Sequence, residues 1–330
     1  MDTLISTVFV CGVILLANLS QDWADQARRL VFWGVPITLG LLSFSLLLQP
    51  LVPSVNSDGT SRVVNTGAVF GVGLLGLLAC GFSTGILISP ELRMRLRQRL
   101  PTYEPHSPVH TLAVLLALLS VFLTLANLSL SGGTEGMAAQ ISENPPQAID
   151  LLGSLLLYSS AALLGVGLGT RRTLPQALAR LGLSQPTRAD LLRGIGYGGT
   201  LFFAVSLVSL AWSAFDPQGY AQQTSAAQAI SNAVGSSLVM GFLLALSASI
   251  GEELLFRGAI QPIFGGLFSA IYFVLLHWQY TATLAALIIF FVALAFGWLR
   301  WRYNTQSAIV AHFVYNFLPF VMLALLGDSA

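Results

Sequence analysis

Glu252 and Glu253 are adjacent carboxylates that follow the apolar stretch Leu238 to Ile250 and precede Leu254-Leu255-Phe256. Most of the other acids in the chain fall in loops or near helix ends. An ionised carboxylate inside a bilayer costs several kcal/mol, so an intramembrane acid is a mark of function by default. Glu253 and Arg257 are four residues apart, share a helix face and can pair. Glu252 is turned about 100° from Glu253 and has no local partner. A charge cluster at a helix end accounts for one Glu with one Arg, but less well for a second, unpaired Glu.

Two histidines sharpen this pattern. His277 ends the apolar run Phe273-Val274-Leu275-Leu276, and His312 lies four residues before Asn316, on one helix face with it. His106 and His110 lead out of a basic, Pro-containing loop and read as interfacial. A single membrane histidine is often a satisfied interhelical hydrogen bond. Two of them within one short stretch that also holds an acid pair fit that explanation poorly. The residue types suit hydrolysis. A carboxylate beside an imidazole can orient and deprotonate a water. A second imidazole with an amide can donate to the oxyanion of a tetrahedral intermediate. The chain has no His-Glu-x-x-His.

The elements that position these groups must be membrane helices. Of 330 residues, 55% are hydrophobic and 9% charged, against about 25% charged in soluble domains. With a net charge of +1, overall charge names no partner, and no nucleic-acid partner is expected. Cys11 and Cys80 lie in apolar runs, which disfavours a disulfide framework or a cysteine zinc site. The apolar segment from Leu4 to Leu16 has no basic residue before it, so it reads as a retained first helix. A span needs about 20 apolar residues. Candidates lie near 3–20, 30–52, 66–89, 110–131, 149–169, 194–215, 233–256, 263–278, 281–300 and 305–326, the first and eighth being short. The expected fold is all-α, a polytopic transmembrane bundle of about 8–10 membrane helices.

Arginines orient the bundle. All fifteen basic residues are Arg. Eleven of them cluster at Arg93, Arg95, Arg97 and Arg99, at Arg171, Arg172, Arg180, Arg188 and Arg193, and at Arg300 and Arg302. The positive-inside rule puts these three segments in the cytoplasm. The loops 132–148 and 216–232 hold acids and no base. Leu174, Leu178 and Leu181 are spaced for a short amphipathic helix in the loop 170–193. Asn144-Pro145-Pro146 marks an outer turn, and Gln261-Pro262 the turn after the Glu252 helix. With that turn, Glu252 and His277 differ in depth by roughly 7 Å at 1.5 Å per residue. His312, about 15 Å from the Arg302 turn, reaches a similar level.

Gly251-Glu252-Glu253-Leu254-Leu255-Phe256-Arg257-Gly258 resembles the EExxxR motif of the CPBP family of intramembrane proteases, also called Abi or CAAX-protease-like. Phe273 to His277 resembles its FxxxH motif and His312 to Asn316 its HxxxN motif, in the family's order. Leu178 to Leu183 is similar to a segment common upstream in bacterial members. The stretch between Arg257 and Phe273 is short for the family, which implies a tight connection. The resemblance implies Glu252 as general base with His277, Glu253 and Arg257 as a supporting pair, and His312 with Asn316 as the oxyanion site. It implies no obligatory cofactor for a glutamate mechanism, or a divalent metal such as zinc on Glu252, His277 and His312. The implied substrate is a peptide or membrane protein. The implied location is a bacterial inner membrane, with the site toward the cytoplasm. On this reading residues 1–169 are N-terminal membrane helices of unassigned role, and 170–330 form the protease core, with catalytic helices at about 233–326. The alternatives are a non-proteolytic scaffold or immunity protein that keeps the fold, and a proton- or cation-coupled transporter.

Overall fold

A computed structural model describes residues 2–22, 32–51, 65–100, 102–235, 237–277, 280 and 284–326. Among them every regular element is helical. The helices are α1 (Asp2–Leu19), α2 (Gly34–Leu48), α3 (Thr66–Ile88), α4 (Pro90–Arg99), α5 (Pro108–Leu130), α6 (Gly133–Glu143), α7 (Ala148–Gly165), α8 (Leu174–Arg180), α9 (Arg188–Phe215), α10 (Pro217–Gly235) and α11 (Leu238–Glu252). A π-helical segment (Glu253–Ile260) joins α11 to α12 (Gln261–Leu276), and α13 (Ala285–Arg302) and α14 (Thr305–Leu326) follow. Among the described residues seven helical stretches are long and apolar enough to cross a membrane, one of them Leu238–Leu276 (α11 through α12), and Leu4–Leu19 and Gly34–Leu48 are shorter apolar helices. The chain is an integral, multi-pass membrane protein with an all-α fold.

Three segments expected to be loops contain helices: α4, α6 and α10. They are too polar for the long-apolar-run criterion, and α4 and α10 each carry a local start signal. Ser89 caps α4 by accepting from Leu92 N–H, with Pro90 in the first turn. Pro217 opens α10. The surface helix expected in 170–193 is present as α8, but its buried side chains are Ala177 and Leu181, while Leu174 is exposed.

The turn expected at Gln261-Pro262 is displaced to Gly265. Backbone angles there are φ 84°, ψ 163°, a region open essentially to glycine. Pro262 stays within the helical path. Its missing N–H would orphan a carbonyl one turn back. The π-helical widening and a side chain absorb that defect: Gln261 N–H bonds Phe256 O, and Arg180 donates to Gly258 O at 3.3 Å. Beyond Gly265 the chain doubles back. Ser269 Oγ donates to Phe256 O at 3.2 Å, and the Phe256 and Phe273 rings lie 5.0 Å apart. A straight helix would separate those two residues by about 25 Å. The connection is therefore tight, as its length implies. Gly265→Ala is expected to destabilise the fold by about 1–3 kcal/mol, read as a lower melting temperature in detergent. An unchanged melting temperature would show that the hairpin does not need glycine there.

The three arginine-bearing segments share one end of the bundle. Arg180 reaches Gly258, Arg300 lies against Gly182, and Thr102, beside α4, donates to Ile263 O at 2.5 Å near the reversal. α6 and α10 pack together at the other end, where Gln222 bonds Glu135. α9 lies along α14 through Gly194 and Gly198. A Cβ at either would collide with Val310 or the Ala311 backbone, as in small-residue membrane crossings.

Candidate active site

The candidate side chains are brought together from several elements. α11 ends at Glu252, and the π segment carries Glu253 and Arg257. π-helical turns inside longer helices recur at functional sites. Here the turn puts Glu253 and Arg257 on an inward face, at 0% and 1% side-chain exposure, with Arg257 Nε 3.2 Å from Glu253 Oε2. Gly251 presses against Tyr158 of α7, so a side chain there would crowd that ring.

Arg257 is enclosed by aromatic rings. Its guanidinium lies 4.5 Å from the Phe273 ring centre, with Phe256 and Phe296 next nearest. Nη2 donates to Ala293 O of α13 at 3.1 Å. Arg257 thus pins three elements: its own, the return arm α12 and α13. This carbonyl and these rings were not legible in the motif, which names only Glu253 as partner.

The return arm delivers His277. Its Nδ1 is 2.7 Å from Phe273 O. A carbonyl only accepts, so Nδ1 carries the proton and Nε2 presents a lone pair. Nε2 lies 3.8 Å from Glu252 Oε2. His312 comes from α14 and stacks on Phe296, with ring centres 4.9 Å apart. Its Nδ1 is 2.8 Å from Glu253 Oε1, and its Nε2 is 4.0 Å from Glu252 Oε2. The Glu253–His312 bond was absent from the sequence reading, since nothing local links residues 59 positions apart.

All six sequence candidates are gathered here, in two layers. Glu253 and Arg257 form the buried layer. Glu252, His277, His312 and Asn316 line a cavity of about 720 Å³. Other walls were not foreseen. Ser206, Ser209 and Ser213 of α9 face the cavity, as do Tyr220 of α10, Tyr280 and Tyr315. The serine spacing of three and four is a helical stripe, a signal present in the sequence but not used. His110 is elsewhere: its Nδ1 accepts from Glu104 N–H at 3.0 Å in the turn before α5.

Glu252 Oε2 has no hydrogen-bond partner among the described residues. Separations of 3.8 and 4.0 Å to the two Nε2 atoms are too long for direct bonds. They suit one oxygen atom at roughly 2.8 Å from each group. A carboxylate and a lone-pair nitrogen facing one point can take a proton from a molecule held there.

Residues 234–318 match the family described as type II CAAX prenyl endopeptidase Rce1-like. This match supports assigning the region to the CPBP/CAAX protease family. The matched span includes every cavity residue from α11 to Asn316 and stops short of Pro319. Searches of curated proteins and of solved structures found no match. The CPBP match thus falls on the segment that carries the buried acid pair and both histidines.

Proposed function

We propose that the chain is an intramembrane endopeptidase that hydrolyses a peptide bond with a water activated by Glu252 and His277. The observation that carries this is the unpartnered Glu252 Oε2 facing His277 Nε2 across 3.8 Å at a cavity wall. In the proposed reaction the water hydrogen bonds Glu252 and His277, and Glu252 takes its proton as oxygen attacks the scissile carbonyl. The same proton then passes to the leaving amine. Asn316 and His312 Nε2 would donate to the oxyanion. Nε2 carries a proton when the imidazole is doubly protonated, or when Glu253 holds a proton that it donates to Nδ1. Glu253 and Arg257 would serve the chemistry through His312, as a positioning pair.

The substrate class that fits is a peptide or membrane protein whose backbone reaches the cavity from the bilayer. By the positive-inside rule the arginine-bearing end faces the cytoplasm, and a bacterial inner membrane suits this orientation. The protease core in this reading is residues 170–330, with described helices of residues 1–169 packed beside it.

The donor types of Glu252, His277 and His312 also suit a divalent metal. Among the described residues no three such side chains are grouped as a ready ligand set. If zinc binds, these three would hold it, and it would supply Lewis acidity at the carbonyl. The glutamate reading predicts that purified enzyme keeps its cleavage rate in excess chelator. A loss that added zinc restores would transfer the assignment to a metal mechanism. The primary test is cleavage of a peptide library by the wild type and by Glu252→Gln in detergent. Equal cleavage by the two, or none by the wild type, counts against the protease reading.

A further inference from the structure

A second cavity, of about 530 Å³, lies where the end of α1 meets the turn after α7. Asn18, Leu19, Thr170, Arg171 and Arg172 line it. Its walls are fixed by bonds that leave positive charge over. Asn18 Nδ2 donates to Ile14 O at 3.0 Å and to Leu164 O at 2.9 Å, tying α1 to α7. Gly167 O accepts from the N–H groups of both Arg171 and Arg172 at 2.9 Å. The Arg172 guanidinium donates to Val166 O, which orients it. The Arg171 guanidinium makes no hydrogen bond or ion pair among the described residues.

The surroundings add charge of the same sign. Arg180 lies near enough to Arg172 and Arg300 for both to oppose its protonation, after burial, which is the larger cause. None of these four arginines pairs with a carboxylate among the described residues. A cationic recess with fixed walls and no paired carboxylate among the described residues suits an anion. Guanidinium groups match phosphate oxygens in a two-bond fork.

Position decides what carries the phosphate. The cavity sits at the ends of two apolar membrane helices, where headgroups lie. Its rim includes Leu19, which is 49% exposed, and Leu15 and Leu16 are exposed one turn deeper on α1. That apolar strip continues from the cationic recess along the lipid-facing surface, where an acyl chain would run. We propose that this cavity binds the phosphate of an anionic phospholipid headgroup, with Arg171 and Arg172 as its ligands.

Native mass spectrometry of the full-length protein in detergent tests this, with phosphatidylglycerol, phosphatidylcholine and inorganic phosphate added separately and in competition. Phosphatidylglycerol is expected to be retained over phosphatidylcholine, and Arg171→Gln to weaken that retention about fivefold, the value of one arginine near an anionic surface. Because the Arg171 guanidinium has no partner among the described residues, this variant should melt with the wild type. Arg171→Gln with Arg172→Gln should erase the preference. Arg95→Gln with Arg97→Gln removes the same charge from exposed positions of α4 and should leave it intact. Equal retention of both lipids overturns the proposal, as does an equal loss in the α4 variant, which would indicate diffuse charge only. Displacement of the lipid by equimolar inorganic phosphate would make this a free-phosphate site and overturn the lipid assignment.

Discussion

Glu252→Gln is expected to lower kcat by about 10³-fold, the scale of a lost general base, and to leave the fold intact. The amide keeps the size of the carboxylate and cannot take a proton from water. Among the described residues nothing bonds Glu252 Oε2, so the substitution orphans no partner there. Melting in detergent should stay within about 1 kcal/mol of the wild type, as for substitutions that break no buried interaction. KM should change little, because the amide can still hydrogen bond whatever water or carbonyl sits there. His277→Ala should cost a similar factor. Combining the two should cost little more than either alone, since groups that act as one unit are not additive. A double variant with the product of the two losses would separate Glu252 from His277 and remove the proposed water site. A Glu252→Gln enzyme that unfolds would place the residue with the structural pair instead.

The arrangement was legible where one-dimensional spacing translates into a shared face. Glu253 and Arg257 pair because four residues make about one turn, and the π-helical widening does not break that contact. His312 and Asn316 line one cavity for the same reason. The reversal between Arg257 and Phe273 was legible as a short connection, but its position was not. Pro262 looked like the breaker, yet a proline can persist in a helix when its orphaned carbonyl finds another donor. That donor, Arg180, lies 78 positions upstream. No local rule points to it. The chain breaks at Gly265, where only backbone conformation, and not composition, distinguishes it from Gly266.

What the spacing could not reveal is long-range. Glu253 was read as the partner of Arg257 alone. The fold gives it His312 as well, at 2.8 Å, so the supporting pair becomes a chain from Arg257 through Glu253 to an imidazole on the cavity wall. Helices α4, α6 and α10 were read as loops because hydropathy finds helices that face lipid on all sides, and these three do not. α10 matters most, since Tyr220, Ala227, Ile230 and Ser231 close one side of the cavity. The N-terminal helices also touch the core at polar points. Ser120 of α5 bonds the Tyr272 hydroxyl at 2.9 Å, next to the ring that packs on Phe256.

Arg257→Met should destabilise the protein by about 3–5 kcal/mol, the cost of leaving one member of a buried ion pair behind. Glu253 is fully buried, and after the substitution only His312 would remain to balance its charge. The Ala293 carbonyl would lose its donor, and the three surrounding rings would lose a cation. The companion variant Glu253→Leu with Arg257→Met removes both charges. Apolar replacements of a buried pair are often neutral, so most of the lost stability should return. Cleavage should not return, because His312 would have lost the carboxylate that orients its Nδ1. Denaturant unfolding in mixed micelles reads the first quantity and peptide cleavage the second. A double variant as unstable as the single one would show that Arg257 acts through packing rather than charge. A double variant that folds and cleaves would show that Glu253 does not position His312, and the oxyanion role would then rest on Asn316 alone.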